Sequence, residues 1–158
     1  MRANAGFFTR VCVHWRTLAL DCAGASAAEF ALVLPLLLLI LFGVIQFSIV
    51  LNNYIELTNA AAAGARELSI SRGASKPFSG TINALDNAAP NLTPATLNSK
   101  VVMTVNGTAC TSDGAACQKA FAAGDAAVVM ATYPCNLNVL WLTFGNCVLT
   151  SSATALVQ

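Results

Sequence analysis

The fold is decided by the stretch GASAAEFALVLPLLLLILFGVIQFSIV, residues 24–50, where small residues lead through one carboxylate into an apolar segment. No charged side chain occurs from Phe30 to Ile55. About 20 consecutive apolar residues in an α-helix are enough to cross the hydrocarbon of a bilayer. The sequence therefore predicts a single transmembrane helix whose span covers about residues 30–51.

The charges on the two sides of this segment predict its orientation. Arg2, Arg10 and Arg16 precede it against a single acid, Asp21, and the first basic residue after it is Arg66. Positively charged flanks remain on the cytoplasmic side of a membrane. We therefore expect the N-terminus in the cytoplasm and the rest of the chain outside. A secretory signal is disfavoured because its apolar region is only about 7–15 residues long.

A helical pattern continues beyond the span. Small and apolar residues recur at spacings of three and four, while polar residues fall on another face. The first set is Tyr54, Leu57, Ala61, Gly64, Ala65 and Leu68, and the second is Asn52, Glu56, Asn59 and Arg66. No proline interrupts from Leu36 to Lys76, so we predict one helix from about Ala25 to Ser71. At 1.5 Å per residue this helix is roughly 70 Å long. The apolar stripe on the part beyond the span must be covered by another part of the chain.

Residues 72–158 are expected to supply that cover as a small exterior domain, the head. Gly73, Pro77 and Gly80 indicate a linker, a short helix is expected over Thr81–Ala89, and Thr93 with Pro94 suggests the start of another. Strand patterns begin at Lys100, Ala126 and Cys147. Closely spaced strands favour an antiparallel sheet, one face of which packs on the helix. The predicted fold class is α+β, a long transmembrane helix leading into a small antiparallel sheet.

The positions of the cysteines agree with a division into a cytoplasmic segment, a membrane span and an exterior head. Cys12 and Cys22 precede the span, where cytoplasmic thiols stay reduced, whereas the head contains Cys110, Cys117, Cys135 and Cys147. An even number of cysteines in an oxidising compartment predicts disulfides. Three pairings are possible, and proximity in sequence favours Cys110 with Cys117 and Cys135 with Cys147. A four-cysteine zinc site is disfavoured because the short spacings of zinc knuckles are missing.

The composition argues against most catalytic and nucleic-acid-binding functions. Of the 158 residues, 56% are hydrophobic and 9% charged, and the net charge is +1, whereas soluble domains carry about 25% charged residues. The chain has no excess of lysine and arginine that could neutralise the phosphate backbone of a nucleic acid. His14 is the single histidine, and no nucleophile, phosphate-binding or metalloprotease motif occurs. Asp86, Asp113 and Asp125 stand beside residues typical of turns. We expect no enzyme activity, cofactor, metal or small-molecule substrate.

The junction at residues 24–30 carries a resemblance to a known family. A short basic leader, Gly24, Glu29 five positions later, Phe30 and then an apolar span resemble the processing site of type IV pilin-like proteins. The longer string EFALVLPLLLLILFGVIQF from Glu29, with LTSSATALV from Leu149, resembles more narrowly the TadE-like pseudopilins of the tight-adherence (Tad, or Flp) pilus. The resemblance covers about a third of the chain, and little is recognised between residues 73 and 145.

This resemblance implies a processing and assembly site. A prepilin peptidase is expected to remove residues 1–24 by cutting after Gly24, which gives Ala25 a free α-amino group. Residues at i and i+4 lie on one face of a helix, so Glu29 can neutralise that amine or the amine of a neighbouring subunit. An unpaired charge in low dielectric is penalised, so this pairing would fix the axial register between subunits. Pro35 is expected to loosen the span during assembly, although a tolerated proline explains it equally well.

The sequence thus predicts a non-catalytic minor pseudopilin with a type IV pilin-like lollipop fold. By the resemblance, its partners are other pilins, the prepilin peptidase and the inner-membrane assembly platform, and its role lies in surface adhesion and biofilm formation. It is expected to be a single-pass protein of the bacterial inner membrane with a periplasmic head, extracellular once in a pilus. The alternative is an uncleaved single-pass protein whose exterior head binds a ligand or receptor.

Overall fold

A computed structural model describes residues 22–139 and 142–158, without the side chains of 22–25 and 136–146. The predicted leader therefore lies outside the described residues up to Asp21. The chain divides into two compact units, Met1–Val44 and Ile45–Gln158. Helix α1, Cys22–Ile70, contributes to both units and contains Pro35. The long helix expected over Ala25–Ser71 is confirmed.

The second unit contains three short helices and one sheet after α1. In chain order they are α2 (Pro77–Ala88), α3 (Pro94–Asn98), β1 (Val101–Val105), β2 (Thr108–Ala109), α4 (Ala115–Lys119), β3 (Ala126–Val139) and β4 (Leu142–Leu156). The strands form one antiparallel sheet in the order β2-β1-β3-β4. The predicted α+β class, a long helix followed by an antiparallel sheet, is confirmed.

Strands β3 and β4 form a longer hairpin than the sequence indicates. Their register runs from Ala126 opposite Leu156 to Val139 opposite Leu142, with an irregularity between Cys135 and Leu137. β4 therefore begins at Leu142, and the expected start at Cys147 is wrong. Asparagine and glycine residues between Asn136 and Asn146 are typical of turns. Here the pairing of the two strands overrides that local preference.

The core of the second unit lies between α1 and the inner face of the sheet. Leu57, Ala61, Ala65 and Leu68 of α1 are at most 1% exposed, which confirms the predicted stripe over these positions. Tyr54 is 44% exposed, so its predicted place in the buried stripe is wrong. The buried stripe begins about one turn later, at Leu57. The sheet contributes alternate residues, as its pleat requires: Met103, Val105, Ala127, Val129 and Ala131 are all buried.

Helix α2 begins at Pro77, and the expected start at Thr81 is wrong. Proline is favoured at the first helical position because its missing N–H needs no partner there. Asp113, from the loop before α4, accepts hydrogen bonds from the backbone N–H groups of Phe78 (2.8 Å) and Ser79 (3.0 Å) and from the Ser79 hydroxyl. The cap comes from a distant loop, so the local sequence gave no sign of it. The expected helix start at Pro94 is confirmed.

This cap makes a pH-dependent contribution to stability. The hydrogen bond from the Ser79 hydroxyl, followed by those from backbone N–H groups, lowers the pKa of Asp113 against an opposing effect of burial. A lowered native pKa means that the stabilisation is complete above the ordinary value of about 3.9 and is lost as the pH falls through the native value.

We therefore expect Asp113→Asn to flatten the acid limb of the stability curve. Urea denaturation of the full chain in detergent, followed by circular dichroism between pH 2 and 7, measures this effect. Asp125→Asn is the matched control, because within the described residues that carboxylate accepts a single hydrogen bond, from the Ala122 N–H. An acid limb that is unchanged in Asp113→Asn would contradict the capping role.

Candidate functional site

The predicted cleavage site lies within α1. Gly24 and Ala25 both belong to the helix Cys22–Ile70. Glycine lowers helix stability by about 1 kcal/mol relative to alanine. The helix is therefore locally weakened at the Gly24–Ala25 bond.

Glu29 and Phe30 follow one turn later on the same helix. The side chain of Glu29 is exposed, and that of Phe30 is 60% exposed. Ala25 and Glu29 are four residues apart in one continuous helix, so an α-amino group on Ala25 would lie one turn below the carboxylate. The helical spacing assumed for the amine–carboxylate pair is therefore present. No other carboxylate occurs between Ser26 and Ile55.

The helix beyond Glu29 presents apolar side chains on all sides. Residues Ser26–Ile70 form a candidate membrane span with a mean hydropathy of 2.7 over its most apolar window, none of which is buried. Leu32, for example, is 81% exposed. A helix that is hydrophobic all round and uncovered requires an apolar surrounding. Pro35 lies inside this helix and has no N–H to donate to the carbonyl of Ala31. One backbone hydrogen bond of the helix is therefore missing, which weakens the helix at this point.

The four cysteines of the head lie in the two pairs that proximity favours. Cys110 pairs with Cys117 at a Cα–Cα distance of 4.8 Å, and Cys135 pairs with Cys147 across β3 and β4 at 4.9 Å. Both distances lie in the range of disulfides. One pair fastens α4 to the end of β2, and the other joins the two longest strands. The head is thus held by bonds that persist in an oxidising compartment.

The carboxylates of the head act as structural acceptors. Asp125 accepts a hydrogen bond from the Ala122 N–H at 3.1 Å, as expected of a turn. Asp86 instead lies within α2 and accepts from the Asn98 amide at 3.2 Å, so the turn assignment was wrong for it. In the described part of the chain no three His, Cys, Asp or Glu side chains are grouped to hold a metal.

Two of the clefts on the described part of the head are small. One of about 190 Å³ lies beside Lys100, Tyr133 and Val148, and another of about 150 Å³ lies beside Phe78, Val102 and Thr111. Sites for small molecules usually enclose about 300–1,000 Å³. The uncovered apolar helix, with Glu29 before its apolar run, is a feature of the described residues that needs a partner.

Comparison with known proteins bears on the same helix. No curated protein and no solved structure matches the chain. Residues 24–66 match the family model described as TadE-like protein, a segment that begins at Gly24 and contains Glu29, Phe30 and Pro35. The resemblance carried by these residues is confirmed: over residues 24–66 the chain is similar to the TadE-like family.

Proposed function

We propose that the protein is a non-catalytic minor pseudopilin of a Tad (Flp) pilus. The observation that carries the proposal is the match of residues 24–66 to the TadE-like family, over a helix whose apolar surface is uncovered. A family associated with pili is structural in role, which agrees with a head whose acids serve as hydrogen-bond acceptors. The protein acts by inserting into a membrane and packing against other pilins.

Processing and assembly follow in order. A prepilin peptidase cuts after Gly24 and releases the basic leader, residues 1–24. The cut gives Ala25 a new α-amino group, which carries a positive charge in its protonated form. Glu29 then pairs with this amine or with that of a neighbouring subunit. The attraction is strong in the low dielectric of packed apolar helices, and a wrong axial offset leaves both charges unpaired.

The remaining features fit this route. Arginines of the leader hold the N-terminus in the cytoplasm, so the head with its two disulfides forms in the periplasm. The weak point at Pro35 eases transfer of the helix from the bilayer into the pilus. The assembly platform of the inner membrane and other pilins are the partners, and the assembled pilus serves adhesion and biofilm formation.

The rival function is an uncleaved single-pass protein whose head binds a ligand or receptor. The N-terminus of the protein isolated from membranes of a host with a Tad system separates the two. We expect mass spectrometry to find a mature chain that begins at Ala25, and Gly24→Val to accumulate the full-length form. Gly43→Val, in the same helix and with nothing within 4 Å of an added Cβ, is the control and is expected to be cleaved. A native protein that retains residues 1–24 would contradict the proposal.

A further inference from the structure

The outer edge of β4 is unprotected. β4 is the last strand of the sheet, and among the described residues no backbone hydrogen bond from outside the sheet reaches positions 148–156. Cys147–Leu156 contains no charged residue and no proline, and the irregularity in the hairpin lies elsewhere, between Cys135 and Leu137. Charges, prolines, bulges and short length are the usual means by which proteins protect an edge strand. This edge uses none of them.

The hydrogen bonds around β3 show which residues of β4 offer free backbone groups. The N–H of Thr132 donates to Lys100 and that of Asn106 donates to Ala126, so the even-numbered residues of β3 bond towards β1. The N–H of Val157 donates to Asp125, so the odd-numbered residues of β4 bond towards β3. Because backbone groups alternate in direction along an antiparallel strand, the even-numbered residues of β4 direct theirs to the free edge.

The side chains of these even-numbered residues also lie on the outer face of the sheet. Val148, Thr150, Ser152, Thr154 and Leu156 are all exposed, and Val148 and Leu156 are each 64% exposed. From Ser152 towards either end of the strand, the next exposed residue is a threonine and the one after it is aliphatic. The exposed pattern is therefore the same in both directions along the strand.

We propose that Val148–Leu156 pairs antiparallel with the same segment of a second copy of the chain, about a two-fold axis at Ser152. In this register Val148 faces Leu156 of the other copy, and Thr150 faces its Thr154. Each of these pairs is of the type that exchanges both backbone hydrogen bonds. Aliphatic and threonine cross-strand pairs both stabilise a sheet, so side chains and backbone select the same register.

The absence of charge on the edge favours a second copy as the occupant. The edge carries no charge, and a partner strand rich in charged residues would lose hydration without gaining an ion pair. The copy offers an equally uncharged strand. Nine residues extend over about 30 Å, and one strand pair buries less than the roughly 1,200–2,000 Å² of a stable interface. Single pairs are therefore weak, and many copies acting together are needed for a lasting contact.

The two-fold axis is perpendicular to the sheet, so the paired strands continue one antiparallel sheet from one head into the other. Resting on the proposed function, this contact between heads is separate from the packing of pilin helices through α1.

Cross-linking of the full chain in nanodiscs that hold one copy each tests the pairing. The background is Cys12→Ser with Cys22→Ser, because the four other cysteines are paired. Ser152→Cys places two thiols across the axis at a Cα–Cα distance of about 5.5 Å, within disulfide range. We expect mild oxidation to convert most of this variant to a covalent dimer.

Thr150→Cys is the matched control on the same exposed face. Its two copies lie about 14 Å apart in the proposed register, so at least tenfold less dimer is expected. Equal dimer from both variants, or none from Ser152→Cys, would overturn the proposal. The outcome does not depend on leader cleavage, which the N-terminal mass measures separately.

A charge test checks the register independently. In the Ser152→Cys background, adding Thr150→Lys with Thr154→Lys sets like charges opposite each other and is expected to lower the dimer yield at least tenfold. Thr150→Lys with Thr154→Glu sets opposite charges there and is expected to restore it. Equal yields from the two combinations would show that the strands do not pair in this register.

Discussion

Glu29→Ala is expected to abolish incorporation into the pilus while leaving membrane insertion and leader cleavage intact. The apolar span is untouched, so the helix still enters the bilayer. The free amine of Ala25 then lies among packed apolar helices without its partner. Removing one member of a buried pair costs about 3–5 kcal/mol, and each 1.4 kcal/mol is a factor of ten. We therefore expect at least a hundredfold loss of subunit from sheared pili, measured by quantitative immunoblot.

The matched variants separate charge from size. Glu29→Gln keeps the length of the side chain and removes the charge, so it is expected to behave like Glu29→Ala. Glu67→Gln makes the same change in α1 outside the apolar segment and is expected to assemble normally. Membrane fractions and N-terminal masses are recorded for every variant. Assembly of Glu29→Gln at the parental level would refute the register role of the carboxylate.

Features set by local periodicity could be predicted from the sequence. The apolar run and the three-four spacing from Leu57 to Leu68 require no partner to be recognised, and the helix and its buried stripe were predicted. The acid at the start of the run and the preceding Gly24 indicated the resemblance to the TadE-like family, because both lie within one short segment. The pairs Cys110–Cys117 and Cys135–Cys147 agree with proximity, because each closes a short loop.

Features that depend on distant residues could not be predicted. From the local sequence Pro77 indicates a linker, because the group that caps α2, the carboxylate of Asp113, comes from a loop beyond β2. The first residues of β4 resemble a turn and become a strand only by pairing with β3. The free edge of β4 could likewise not be predicted, because it depends on the order of the strands in the sheet, which places β4 at the edge.

The contact between α1 and α2 provides a second large effect, this time on stability. An added Cβ at Gly64 would lie 3.0 Å from Cγ of Leu85, which is fully buried. Leu85→Ala is expected to destabilise the head by about 2–5 kcal/mol through lost burial and a cavity. Gly64→Ala is expected to cost about 1–3 kcal/mol because it overpacks the same place. Urea denaturation of the full chain in detergent measures both.

The two changes together are expected to cost less than their sum. Once Leu85 is shortened to alanine, the methyl group of Gly64→Ala enters the cavity, and alanine also favours the helix by about 1 kcal/mol. In the Leu85→Ala background, Gly64→Ala should therefore be neutral or stabilising, with a coupling of about 1–3 kcal/mol. Gly43→Ala has nothing within 4 Å of its added Cβ and should leave the unfolding of the head unchanged in both backgrounds. Strict additivity would show that α1 and α2 are not in contact at Gly64.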